Sequence, residues 1–65
     1  MRILLDGKPK TVALRPGVRT GAQLLRILGI SPQEALLKLD GQVRPESASI
    51  TPQSKIEIIR VVFGG

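Results

Sequence analysis

The sequence predicts an α+β domain in which one helix packs across one face of a mixed sheet of four to five strands. Three observations point there. Asp-Gly occurs twice, at Asp6-Gly7 and Asp40-Gly41, each time between two apolar runs, a strong short-range signal for a β-hairpin. Leu24, Leu25 and Leu28 form the i, i+1, i+4 stripe of a helix that lies on a sheet. Residues 55–62, Lys-Ile-Glu-Ile-Ile-Arg-Val-Val, are the longest β-prone run in the chain, dominated by β-branched residues.

Each element follows in order. Residues 1–5 make a first strand, with Ile3 and Leu5 on one face at period two. Lys8-Pro9 extends the first turn. Proline has no N–H to give a ladder, so pairing is expected to resume after it, in a second strand over residues 10–14 that turns Val12 and Leu14 to the same side. Arg15-Pro16-Gly17 closes the hairpin. Thr20 is the expected N-cap, its hydroxyl accepting from an orphan N–H of the first turn. Gly21 takes the first slot of the apolar stripe and is expected to weaken it. Gly29 is the expected C-terminal stop, with Ile30 folding back onto the last turn. A helix of roughly two and a half turns does not hold alone and depends on the sheet.

Ser31-Pro32-Gln33-Glu34 has capping-box spacing with proline at the first helical position, and is expected to make a single turn. Residues 35–39 form a third strand and residues 42–44 a short return strand cut off by Pro45. Residues 46–54 make a crossing loop anchored by Ile50. The last strand, rich in β-branched residues, is expected at the sheet centre, beside the first strand and parallel to it. Hairpin, crossing helix, short hairpin, loop and central last strand together describe a β-grasp.

Composition excludes more than it selects. The chain of 65 residues reads as one domain, 1–65, with residues 62–65 as a flexible C-terminal tail. A domain of this length buries only about 60% of the surface its unfolded chain exposes, so no deep enzyme pocket fits beside its core. There is no cysteine and no histidine. Disulfides, thiolate and imidazole metal sites and the commonest general base are thereby removed, and no independent enzyme is expected. Ten Lys and Arg against five Asp and Glu leave a net charge of +5, which raises nucleic acid or an acidic protein as partner. The positive residues are scattered, however, and Phe63 is the only aromatic, which argues against a single-strand binder. The apolar start is far too short for a signal peptide or a membrane span. A cytoplasmic protein, monomeric when alone and touching no membrane, is the expectation.

At this point the residues resemble the ThiS/MoaD-type sulfur carrier proteins of the ubiquitin-like superfamily. Gln23-Leu24-Leu25-Arg26-Ile27-Leu28-Gly29-Ile30 is similar to that family's Glu-Leu-Leu-x-x-Leu-Gly-Leu. Leu37 to Pro45, around Asp40-Gly41, looks like its Ala-Leu-Asn-Gly-Glu-x-Val-Pro region. The final segment ends, as theirs does, in a Gly-Gly pair, Gly64-Gly65. The resemblance covers essentially the whole chain in order and spacing. The sequence differs in having Thr51-Pro52-Gln53-Ser54 where an acidic turn is common, and in its basic charge.

The resemblance implies a carrier whose Gly65 carboxylate is adenylated and converted to a thiocarboxylate, for thiamin-thiazole or related cofactor or tRNA biosynthesis. The implied partners are an E1-like adenylyltransferase of the ThiF/MoeB type, a persulfide sulfur donor and a sulfur-accepting synthase. ATP would be used by the activating enzyme, and this chain would bind no cofactor itself. Glycine has no Cβ, so Gly64 and Gly65 can follow a narrow path into a partner. Phe63 is a candidate anchor for a partner pocket. Ile59 and Val61 alternate away from Ile56 and Ile58, to the side where Lys38 and Glu57 also fall, which makes that face a docking candidate. Arg60 is a candidate to pair with an acidic groove, or else an exposed charge that keeps the edge soluble. Two other readings stand beside this one: a ubiquitin-like modifier conjugated through Gly65 to lysines, and a small basic β-grasp RNA-binding domain.

Overall fold

The computed structural model describes residues 1–13 and 15–61, and within them the two Asp-Gly pairs build the frame. Strand β1 (Arg2–Leu5) turns through Asp6-Gly7 into β2 (Lys8–Thr11), and β3 (Ala35–Leu39) turns through Asp40-Gly41 into β4 (Gln42–Arg44). Asp6 and Gly7 have φ of 51° and 81°, and Asp40 and Gly41 have 51° and 84°. Positive φ at both central residues is the type I′ turn, whose twist matches that of the strands it joins; aspartate and glycine tolerate it best.

The last strand, β5 (Ile56–Arg60), lies between the two hairpins, giving the order β2-β1-β5-β3-β4. It runs parallel to β1, with Ile3 opposite Ile56 and Leu5 opposite Ile58, and antiparallel to β3, with Leu37 opposite Ile58 and Leu39 opposite Ile56. One helix, α1 (Gly21–Leu28), packs on one face. Its N-cap Thr20 accepts from Gln23 N–H, and the Gln23 side chain reaches back to the Thr20 N–H, a reciprocal capping box. At its other end Gly29 has φ 72°; its N–H donates to Arg26 and that of Ile30 to Leu25. Ser31 opens a 3₁₀ turn over Pro32–Glu34 that leads into β3. Among the described residues, Leu24 and Leu25 of the helix, Ile50 of the crossing loop and Ile3, Val12, Leu37, Leu39, Ile56 and Ile58 of the sheet side are the buried hydrophobic core.

Three expectations need correction. The second strand is not residues 10–14 but Lys8–Thr11, with Pro9 inside the ladder opposite Leu4. Met1 and Val12 exchange both backbone bonds, at 2.7 and 2.9 Å, so in an alternating antiparallel ladder Pro9 sits at a non-bonded position. Its missing N–H therefore costs nothing, and proline on this edge strand discourages pairing with another chain. Leu14 lies outside the described residues. The last strand, expected over residues 55–62, is Ile56–Arg60 among the described residues, with Val62 outside them; β1 turns away at Asp6, and β3 begins at Ala35, opposite Arg60.

Gly21 is the third correction. It is buried, and a Cβ there would collide with Cδ2 of Leu37 and come to 3.1 Å from the Glu46 carbonyl oxygen. The first turn of α1 lies that close because Gly21 N–H donates to Ala48 and Ala22 N–H to Glu46. Glycine here does not weaken the helix face. It lets the helix N-terminus close onto β3 and the crossing loop.

Candidate functional site

Strand alternation divides the sheet into a face under α1 and an open face. On the open face one row runs across all five strands: Pro9, Leu4, Glu57, Lys38, Val43, each opposite the next in register. A second row, nearer the C-terminal end of β5, holds Ile59 opposite Leu36. Leu4, Leu36 and Val43 are 40%, 45% and 62% exposed, and Ile59 and Lys38 are half-buried. The expectation that Ile59, Lys38 and Glu57 share the face away from the core matches this placement. Leu4, Leu36 and Val43 add to the patch and were not singled out from the sequence. Their signal was present: Ile-Leu-Leu and Ala-Leu-Leu are unbroken apolar runs where a strand with one wet face should alternate.

A hollow on this face, about 460 Å³, is lined by Arg2, Leu4, Pro9, Lys38, Lys55 and Glu57 among others. It lies at the Lys55 end of β5, whereas the chain leaves the sheet at the Arg60 end. The hollow and that exit are thus at opposite ends of β5, and the Ile59–Leu36 pair lies nearer the exit.

At that exit three contacts hold the chain. Val61, half-buried, donates its N–H to the Glu34 carbonyl at 2.7 Å, which continues the β3–β5 register past the end of β5. Arg60 donates its backbone N–H to Asp6 Oδ1 at 2.8 Å and its Nε–H to Asp6 Oδ2 at 2.6 Å. Arg60 was expected either to reach a partner or to stand as a solubilising edge charge; instead its guanidinium is engaged within the chain, although its side chain is 56% exposed. Asp6 was read only as a turn residue. Its second role was hidden because the two residues are 54 apart in the chain and meet only through the parallel register of β1 and β5.

The Arg60 backbone N–H holds the Asp6 carboxyl below its ordinary value of 3.8, with the Arg60 side chain and the charge of Lys8 adding to the effect. A lowered carboxylate pKa contributes stability that is full at neutral pH and is lost as pH falls through the lowered value. The latch is thus charged throughout the neutral range. Beside it a depression is lined by Lys8, Lys10, Arg60 and Asp6, so the β1–β2 side of the exit sets three cations against one carboxylate.

Phe63, Gly64 and Gly65, the remaining site residues expected from the sequence, lie outside the described residues, as does Val62. Among the described residues no helix is long and apolar enough to cross a membrane. Neither the models of known protein families nor the curated proteins match this chain.

Proposed function

We propose that this chain is a sulfur carrier of the ThiS/MoaD type, with a ubiquitin-like β-grasp fold and the Gly65 carboxylate as its reacting group. The observation that carries the reading is the placement of β5: a central strand, anchored on both sides to its last residue and followed by a held Val61, four residues before Gly65 in the sequence. Four extended residues span at most about 14 Å, enough to enter a partner's active site while the globule stays outside. The parallel pairing of β1 and β5 at the centre, with one helix across one face, supports the β-grasp.

In this reading a carboxylate oxygen of Gly65 attacks the α-phosphorus of ATP held by an adenylating partner, and pyrophosphate leaves. A persulfide sulfur of a donor protein then attacks the acyl carbon and displaces AMP, giving an acyl disulfide. A thiol reduces its S–S bond, leaving a thiocarboxylate on Gly65 and a disulfide on the donor side. The open face docks the partner, with Leu36 and Ile59 nearest the exit and Lys38 beside them. Intact-mass measurement of the protein from its native cells tests the reading. Replacement of one terminal oxygen by sulfur, localised to Gly65, is expected. Linkage of Gly65 to lysines of other proteins would instead establish a modifier, and an unaltered terminus under all growth conditions would overturn both.

The docking face carries its own prediction. Leu36→Thr puts a β-branched, strand-favouring residue in place of leucine and removes exposed apolar surface. Binding to the activating enzyme is expected to weaken about fivefold or more, with the melting temperature changed by no more than about 3 °C. Ile27→Thr, on the outer side of α1 at 43% exposed, should leave binding unchanged. Equal weakening by both variants in a binding titration would remove the open face as the docking surface.

A further inference from the structure

Each Asp-Gly turn also grips β5. Asp40 donates its N–H to the Lys55 carbonyl at 2.8 Å, and its Oδ1 accepts from Lys55 N–H at 3.0 Å, where the chain enters the strand. Asp6 donates its N–H to the Ile58 carbonyl at 2.9 Å, and its carboxylate takes both Arg60 donors, where the chain leaves. The reason is geometric. Val61 N–H points toward β3, so in an alternating strand Arg60 N–H points the other way, toward β1. There β1 has already turned, and the Asp6 side chain stands in for the missing strand.

We propose that Asp6 is a positioning residue for the terminal glycines: by latching Arg60 it sets the fixed origin from which the segment beyond Val61 reaches a partner. The inference rests on the carrier reading for its functional half and on the hydrogen bonds alone for its structural half. A pinned origin lowers the ordering cost of threading the terminus into a partner site, since fewer rotatable residues must be immobilised on binding.

Glycine substitutions test this cleanly, because Gly-Gly also forms a type I′ turn and Asp→Gly removes only the carboxylate. In amide hydrogen exchange, Asp6→Gly is expected to speed exchange at Arg60 about tenfold or more and to leave Lys55 unchanged. Asp40→Gly should do the reverse. Asp6→Asn keeps an acceptor for Arg60 N–H and should restore most of the protection. In native cells the fraction of chain carrying a modified terminus should fall about tenfold for Asp6→Gly, hold for Asp40→Gly and recover for Asp6→Asn. Unchanged exchange at Arg60 in Asp6→Gly would overturn the latch. Altered exchange with an unchanged modified fraction, or equal losses in the two glycine variants, would overturn the positioning role. An unmodified terminus on the unaltered chain would overturn the carrier reading and the positioning role with it, whereas the exchange pattern would still decide the latch.

Discussion

Removal of Gly64 and Gly65 is expected to abolish terminal modification completely while leaving the domain folded. The described core runs from Ile3 to Ile58, and the last described backbone bond is made by Val61. The deletion therefore takes nothing from that core, and the melting temperature should stay within about 2 °C of the full chain. On the carrier reading the chemistry, by contrast, loses the reacting carboxylate itself and the two residues without Cβ that carry it. Thermal melts by circular dichroism and intact mass from native cells read the two halves separately. A truncated gene that restored a strain lacking the full-length one would refute the carrier reading.

The second large effect is on stability. Ile58 is fully buried at the centre of the central strand, opposite Leu5 on one side and Leu37 on the other. Ile58→Ala removes three buried carbons and leaves a cavity that neighbours on two strands and the helix cannot easily fill. The cost is about 3–4 kcal/mol. A domain this small has only about 3–5 kcal/mol in total, so the variant should be largely unfolded at 37 °C. Ile58→Val should cost about 1 kcal/mol and remain folded. Urea titration of both variants checks the contrast, and an alanine variant as stable as the valine one would mean that the centre of the sheet repacks freely.

Much of the fold was legible because its signals are local. An Asp-Gly pair demands positive φ wherever it falls, and Thr20 and Gly29 cap a helix by contacts within one turn. Features that depend on a distant neighbour were not legible. Pro9 is a different case: the two-residue turn at Asp6-Gly7 already fixes its non-bonded place in the ladder, which reading Lys8-Pro9 as part of the turn conceals. Gly21 looks like a weak helix position until Leu37 and the Glu46 carbonyl are brought against it. The length of β5 is set by where β1 and β3 stop. For the candidate site, period-two alternation placed Ile59, Lys38 and Glu57 on one face, but the partner of Arg60 depends on a parallel register that alternation cannot supply.

The position of β5 also governs how the molecule is assembled. Each hairpin closes over a turn of two residues, Asp6-Gly7 in one and Asp40-Gly41 in the other, and such local contacts form early and quickly. Neither hairpin can bury its inner edge, however, until residues 56–60 slide between β1 and β3. The Asp6–Arg60 contact closes a loop of 54 residues, and the entropy of that closure must be met before the β1–β5 pairing stabilises the chain. During synthesis, both inner edges stay open until Arg60 has been made. The strand that leads to the proposed reactive end is thus also the keystone, so a chain cut short before it would present two unpaired β-edges and no finished sheet.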